Sequence, residues 1–327
     1  MTQRRVGILG LGACLPEKIL TNRDLEKIVD TSDEWIQTRT GIKERRIAEK
    51  GTPTSELAAK ASQEAIRSAG LKPTDMDLII LATISPDMLF PSTACIVQNK
   101  IGARCPAFDI SAACSGFPYA MTLGEGLIRS GTYKHILIIG AEVISGFINW
   151  KDRSTCVLFG DGAGAAVLGE MTDGHGILAT YIGSDGSQAK LLQIPAGGSA
   201  IPPTAASIDA GLHYVQMEGS EVFKAAVRTM SDSIVEVTKK AKLKVEDIDC
   251  LIPHQANLRI LNAVSERVGI PIEKVFINLD RYGNMSAAST VVALYEAVKE
   301  KRVKKDSNIV LVAFGSGLTW AACTIRW

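Results

Sequence analysis

Cys114 sits in Ser111-Ala-Ala-Cys-Ser-Gly116, between the apolar run Ala107-Phe-Asp-Ile110 and a helical stretch with Pro118 in its first turn. Small residues at such a strand-to-helix turn leave a thiol unobstructed, and the positive end of a helix dipole lowers its pKa. This is the setting of a nucleophile, so Cys114 is expected to be a reactive thiolate. A single cysteine is more often a small buried residue, and the other six, at 14, 95, 105, 156, 250 and 323, are read that way. His254 follows a short apolar run and precedes Gln-Ala-Asn257; Asn284 lies in Tyr282-Gly-Asn-Met-Ser-Ala-Ala-Ser289 after Val275-Phe-Ile-Asn278. Polar residues at the ends of buried strands, beside helix starts, are where α/β proteins assemble active sites. Alone, His254 reads as a structural histidine and Asn284 as a turn residue. Combined with Cys114 they read as one site.

The elements that must bring these residues together are written twice. Ser68-Ala-Gly-Leu-Lys-Pro-Thr-Asp-Met-Asp-Leu-Ile-Ile80 resembles Lys240-Ala-Lys-Leu-Lys-Val-Glu-Asp-Ile-Asp-Cys-Leu-Ile252 without a gap, 172 residues later. At similar offsets Gly7-Ile-Leu9 matches Gly176-Ile-Leu178, and His135-Ile-Leu-Ile-Ile-Gly140 matches Asn308-Ile-Val-Leu-Val-Ala313. The pattern predicts helices over 54–70 and 218–242, strands over 77–84 and 249–253, and helices over 92–102 and 257–269. Asn257 is a good N-cap, and Gly269 with Pro271 stops that last helix. Such alternation argues for α/β sheets sandwiched by helices. Residues 1–173 are expected to form one half, carrying the cysteine, and 174–327 the other, carrying His254 and Asn284, with the junction in Met171-Thr-Asp-Gly174. The Gly-, Ser-, Ala- and Pro-rich residues 183–215 read as a long insertion over the second copy.

Composition removes other classes. Of 327 residues 46% are hydrophobic and 22% charged, the composition of a compact globule. Lys+Arg 36 against Asp+Glu 35 leaves no global field to hold nucleic acid or an anionic membrane, so an anionic partner must meet a local patch. No apolar run approaches a membrane span, and the odd, scattered cysteines with only four histidines argue against a disulfide framework or a zinc site. A reducing cytoplasm is the expected location. Gly7-x-x-Gly10-x-Gly12 has the wrong spacing for a dinucleotide fingerprint, Gly160-Asp-Gly-Ala-Gly164 lacks a P-loop lysine, and both are read as tight strand turns.

Taken together, Thr31-Ser-Asp-Glu-Trp-Ile-Gln-Thr-Arg-Thr-Gly41, the Cys114 segment, Phe159-Gly-Asp-Gly-Ala-Gly164, His254-Gln-Ala-Asn-Leu-Arg259, Gly283-Asn-Met-Ser-Ala-Ala288 and Phe314-Gly-Ser-Gly-Leu-Thr-Trp320 resemble the β-ketoacyl-acyl carrier protein synthase III family of the thiolase superfamily. The resemblance covers essentially the whole chain. It implies a duplicated thiolase-like fold of five layers, αβαβα, and a homodimer. It also implies a decarboxylative Claisen condensation. An acyl-CoA primer, expected to be acetyl-CoA, is transferred to Cys114 and then condensed with malonyl-acyl carrier protein, without a cofactor or metal. The chemistry agrees with the residues, because a thiolate both attacks thioesters and leaves well. Loss of carbon dioxide creates an enolate that neutral donors such as His254 and Asn284 can hold. A type III polyketide synthase also uses Cys, His and Asn, and would take its extender from CoA; thiolases would show a second catalytic cysteine and the elongating synthases a second histidine, whereas this chain has Asn284.

The resemblance assigns backbone N–H groups of Cys114 and Ser316 to the oxyanion, with Ser316 replacing a more usual glycine. It assigns Trp35 and Arg153 to flank the adenine of CoA, Arg39 to its phosphate end, and Gly219 with Asn257 to pantetheine. Lys224, Arg259 and Arg267 would receive the acidic carrier protein, and Phe90 with Met217 would limit the acyl pocket. The plain alternatives are core packing for the aromatic and apolar residues and solvated surface for the cations.

Overall fold

In the computed structural model, residues 5–171 and 174–327 are described. The junction expected at Thr172 and Asp173 lies outside them. The strands of the two larger sheets are β1 (Arg5–Cys14), β2 (Leu78–Ala82), β3 (Ala107–Ile110), β4 (Ile136–Glu142), β5 (Gly162–Met171), β6 (Gly176–Ser184), β7 (Cys250–Pro253), β8 (Asn308–Gly315) and β9 (Thr319–Arg326). The helices that bear on the site are α1 (Asp33–Thr40), α2 (Thr54–Ser68), α3 (Thr93–Ile101), α4 (Gly116–Arg129), α5 (Gly219–Lys240), α6 (Leu258–Val268) and α7 (Ala288–Lys299).

The first sheet has the order β1-β5-β4-β2-β3 and the second β6-β9-β8-β7. These are one order repeated. The ladders β2/β4 and β7/β8 are parallel, whereas β4/β5, β1/β5, β8/β9 and β9/β6 are antiparallel. The second copy of β3 is reduced to a single parallel bridge between Leu251 and Val275. Strand and helix starts at 78 and 250, 136 and 308, and 116 and 288 keep the 172-residue offset of the repeat.

Both faces of each sheet are buried, which is why the strands read as continuous apolar runs. Ile80 and Ile138 of the first sheet and Ile252 and Leu311 of the second pack against Phe117 and Met121 of α4 and Val291 and Leu294 of α7 in one central core. The alternate residues Ile79 and Leu81 face outward onto Ala58 and Ala65 of α2 and Val97 of α3. On the far side, Val310 and Val312 meet Ile234 of α5 and Val264 of α6. The result is the five-layer αβαβα arrangement.

The glycine motifs pack elements and are not turns. A Cβ on Gly10 or Gly12, both inside β1, would come within 2.4 or 2.3 Å of the Ala65 or Ala61 carbonyl oxygen of α2. Bare backbone there lets the helix lie directly on the strand. Gly164, inside β5, stands in the same way against Val291 of α7, at 2.4 Å. Among the described residues no helix is long and apolar enough to cross a membrane.

Candidate active site

After β3 the chain makes a tight 3-10 turn, Ala113–Ser115, into α4. Ala113 has φ +47°, a left-handed conformation that costs a residue with a Cβ. This turn sets Cys114, 5% exposed, at the head of α4. The end of β8 reaches the same point, since a Cβ on Gly315 would lie 2.7 Å from the Cys114 backbone nitrogen. Ser316, next along, lines a cavity with Cys114, and its φ is not positive, so serine occupies the position without left-handed strain.

Burial pushes the Cys114 thiol up to about 12; the Ser286 hydroxyl opposes the rise and the Glu142 carboxyl adds to it. Burial of the sulfur thus acts against the lowering expected from the helix end, and the two influences pull the thiol in opposite directions.

His254 follows β7, and its backbone N–H donates to the Val312 carbonyl at 2.7 Å. Burial depresses its pKa to about 3, so the imidazole is neutral, and its Nδ1 has no hydrogen-bond partner among the described residues. Asn284 is held from three sides. Its N–H donates to the Leu158 carbonyl at 2.8 Å, its carbonyl accepts from Gly160 N–H at 3.0 Å, and its Oδ1 accepts from Ser286 N–H at 2.8 Å. With Oδ1 engaged, the side-chain NH₂ is the free group, a neutral donor.

Cys114, His254 and Asn284 line one cavity of about 640 Å³, which continues past Phe223 to Trp35 and Arg39. Cys114 also lines a second cavity of about 360 Å³, whose apolar walls include Ile84, Ile144, Leu192, Ile194 and Val215. The thiol thus stands at the junction of two spaces. His254 and Asn284 border only the larger.

Of the residues expected at the acyl pocket, Met217 lines the larger cavity, not the apolar one, because the short strand Gln216–Met217 leads directly into α5. Phe90 lines neither cavity. It is 84% exposed on a loop that leaves β2 and projects outward with Leu89.

Trp35 lies between two guanidinium groups, Arg39 at 5.5 Å and Arg153 at 4.7 Å from its ring centroid. Arg153 rests on the indole and donates to the Asp30 carbonyl at 2.9 Å, so a purine stacked between them requires this guanidinium to swing away. Gly219 opens α5 at the cavity wall, and Asn257 caps α6 by accepting from Arg259 N–H at 2.9 Å. That bond leaves the Asn257 amide NH₂ for a ligand. Lys224 and Arg259 also border the larger cavity, with Lys224 paired to Glu221 at 2.7 Å and Arg259 lying over Phe223 at 5.7 Å. Arg267 lies apart in the last turn of α6, lines neither cavity and faces Asp232 at 3.5 Å. Exposed pairs of this kind hold their partners weakly.

The apolar walls of the smaller cavity were not singled out in sequence. Their signal is Leu191-Leu-Gln-Ile194, an apolar cluster inside the otherwise small and polar 183–215 segment. Of the six other cysteines, Cys156, Cys250 and Cys323 are buried as expected, Cys14 and Cys105 are half-buried, and Cys95 is exposed. No group of acidic, His and Cys side chains that could hold a metal occurs among the described residues.

Comparison with known proteins gives a consistent result. A family model described as "3-Oxoacyl-[acyl-carrier-protein (ACP)] synthase III" matches residues 108–186, and its C-terminal counterpart matches residues 238–327. The chain is 56% identical over 98% of its length to "Beta-ketoacyl-[acyl-carrier-protein] synthase III" of Caldanaerobacter subterraneus subsp. tengcongensis, covering 97% of that protein. It is 55% identical to the like-named protein of Clostridioides difficile, over 99% of this chain and 98% of the relative. The crystal structure of 3-oxoacyl-[acyl-carrier-protein] synthase III from Aquifex aeolicus superimposes with a TM-score of 0.92 at 51% identity, covering 98% of this chain and all of that one.

Proposed function

The chain belongs to the β-ketoacyl-acyl carrier protein synthase III family of condensing acyltransferases, which initiate fatty acid biosynthesis, and we propose that Cys114 carries the acyl group while His254 and Asn284 generate its carbon nucleophile. One observation carries this division. Cys114 stands where two cavities meet, and His254 with Asn284 borders only one of them.

In the first half-reaction the Cys114 sulfur attacks an acyl-CoA thioester lying in the larger cavity. Trp35, Arg39 and Arg153 take the nucleotide end, and Gly219 with Asn257 the pantetheine. The carbonyl oxygen becomes an oxyanion held by the N–H groups of Cys114 and Ser316, CoA departs, and the acyl tail occupies the apolar cavity. Malonyl-phosphopantetheine then enters by the vacated route, its acidic carrier protein resting on Lys224, Arg259 and Arg267. Carbon dioxide leaves, and the enolate oxygen meets a neutral imidazole and a neutral amide N–H, which stabilise it without adding negative charge. The enolate carbon attacks the acyl-Cys114 carbonyl, and the thiolate leaves. The thiolate released in this step takes up one proton from solvent to return to the starting thiol.

The working unit in this reading is a cytoplasmic homodimer, each chain of which is built from two halves, residues 1–173 and 174–327. Leu89 and Phe90, 81% and 84% exposed side by side, are the kind of apolar surface a second copy covers. Seven unpaired cysteines suit a reducing compartment.

Primer size follows from the smaller cavity. At about 360 Å³ it is more than twice the roughly 150 Å³ apolar cavity that takes up benzene, so an acetyl group enters but leaves most of it unfilled. Two further methylenes at about 0.8 kcal/mol each should raise kcat/KM for Cys114 acylation roughly 15-fold from acetyl- to butyryl-CoA. A panel of straight and branched acyl-CoAs checks this, and a steady fall from acetyl upward would show that the cavity does not receive the chain.

Arg259→Glu should weaken use of malonyl-acyl carrier protein in a salt-dependent way while leaving Cys114 acylation by small CoA esters within a few-fold of the parent. Single-turnover acylation and condensation measured at two ionic strengths separate the two. Equal damage to both would make Arg259 a residue of the α6 cap and not of the carrier surface.

A further inference from the structure

The His254 ring has no anchor through Nδ1, which meets no partner among the described residues, so the backbone on either side has to place it. One side is fixed by the bond from its own N–H to the Val312 carbonyl. The residue on the other side, Gln255, is fully buried, lines neither cavity and has no role in the steps above. Its carboxamide uses every hydrogen-bonding site it has. Nε2 donates to the Pro253 carbonyl at 2.8 Å and the Phe276 carbonyl at 3.0 Å, and Oε1 accepts from Asn278 N–H at 3.0 Å and Leu279 N–H at 3.2 Å.

The duplicated fold holds its own control for these bonds. In the first copy β2 and β3 pair in parallel over Ile79–Ala82, and Thr83 N–H extends the ladder onto the Ile110 carbonyl at 3.3 Å. In the second copy the same ladder begins, with Phe276 N–H donating to the Leu251 carbonyl at 2.8 Å, and then stops. In that register the next rung is an N–H from residue 253 to the Phe276 carbonyl. Residue 253 is a proline, with no N–H to give, where the first copy has Leu81 172 residues earlier. Gln255, at the place of Thr83, supplies the missing donor from its side chain.

The same carboxamide also takes the following rung. Asn278 N–H, which in a continued ladder would meet the Pro253 carbonyl, meets Oε1, and that carbonyl meets Nε2. A planar amide therefore stands between two chains that direct bonding would draw to about 4.8 Å, and holds them apart at their carboxyl ends. Bonded at all four sites, it has one orientation, so the opening has one width. His254 leaves from one side of this opening. From the other, Asn278 and Leu279 lead through the helical turn Leu279–Tyr282 and Gly283, at φ +64°, to Asn284. That turn is tied on its far side as well, where Asn278 Nδ2 and the Tyr282 hydroxyl donate to the Glu296 carboxyl of α7 at 2.8 and 2.6 Å.

We propose that Gln255 is a spacer that sets the separation of His254 and Asn284, an inference that rests on these two acting together on the enolate. Two donors serve one oxygen only from matched positions, each about 2.7 to 3.1 Å from where its charge develops. Closing the ladder as in the first copy would take His254 and Asn284 out of that match. Acylation, served by the N–H groups of Cys114 and Ser316, does not share the requirement. Gln255 touches no substrate; it acts through the two chains it parts, as a positioning residue.

The test writes the first copy's residues into the second. The parent, Gln255→Thr, Gln255→Glu and the double variant Pro253→Leu with Gln255→Thr are compared by thermal unfolding, by single-turnover acylation of Cys114 with butyryl-CoA and by carbon dioxide release from malonyl-acyl carrier protein. Nitrogen NMR of the histidine rings, with His254 assigned by difference against His254→Ala, reports the ring's surroundings directly. Gln255→Thr should lower the kcat of decarboxylation about 100-fold, the effect of a misplacement of about 1 Å, with KM and acylation within a few-fold of the parent. Its unfolding temperature should fall, because buried backbone groups lose their partners. Adding Pro253→Leu returns the ladder N–H and should recover that temperature without recovering decarboxylation. The His254 signals should be displaced in both variants, and Gln255→Glu, as the neutral acid at mildly acidic pH, keeps one donor and the acceptor and should recover part of the rate.

A glutamine that only satisfies the Phe276 and Pro253 carbonyls gives another pattern, in which decarboxylation returns together with stability in the double variant. That outcome overturns the spacer, as does parental decarboxylation in Gln255→Thr. Should Gln255→Thr fail to fold, the double variant decides alone. Asn284→Asp, run alongside, tests the reading beneath. Parental decarboxylation there would sink the enolate role, whereas displaced His254 signals would still show that Gln255 places the ring.

Discussion

Asn284→Asp is expected to cut carbon dioxide release from malonyl-acyl carrier protein by more than about 1000-fold while Cys114 still accepts an acyl group. The variant is close to a pure test of the donor. The Asn284 side-chain oxygen accepts from Ser286 N–H at 2.8 Å, and an aspartate keeps that bond and its size. What it loses is the NH₂, and what it gains is charge facing a developing enolate in a buried site. Loss of one such donor costs about 2.7 to 4 kcal/mol, roughly 100- to 1000-fold, and repulsion deepens the loss as pH rises and the carboxyl ionises. Labelled carbon dioxide release, run beside self-acylation on the same folded protein, gives both numbers. Parental decarboxylation, or acylation lost as severely as condensation, would mean that Asn284 does not act on the enolate.

Cys114→Ala should abolish acylation and lower condensation on the order of a million-fold, the scale on which a covalent enzyme depends on its nucleophile. Decarboxylation of malonyl-acyl carrier protein should survive, because His254 and Asn284 border the larger cavity independently of the thiol. The exposed Cys95 should give no rescue. Thioester formation followed by mass, with carbon dioxide release in parallel, distinguishes loss of one step from collapse of the site.

The duplicated architecture was legible because both sheets are buried on two faces, so strands such as Leu78–Ala82 and Cys250–Pro253 are uninterrupted apolar runs at a constant offset. Helix ends were legible where local chemistry sets them, as at Asn257 and Gly269. The glycine motifs were misread, since strand glycines that admit a helix look the same in sequence as turn glycines; only the Ala61 and Ala65 carbonyls distinguish them. The burial that opposes the helix end at Cys114 was not legible, because a helix start is visible in sequence whereas the packing around the sulfur is not. The walls of the apolar cavity come from residues as distant as Ile84 and Val215, which have no common pattern before folding.

The central claim is that Cys114, at the meeting point of the two cavities, is the acyl carrier. The most direct measurement mixes the folded protein with a stoichiometric amount of labelled acyl-CoA, maps the adduct by peptide mass, and then adds malonyl-acyl carrier protein. The account predicts one acyl group per chain on the peptide containing Cys114, discharged into product together with carbon dioxide. An adduct on any other residue, or product formed while Cys114 stays unacylated throughout, would contradict it.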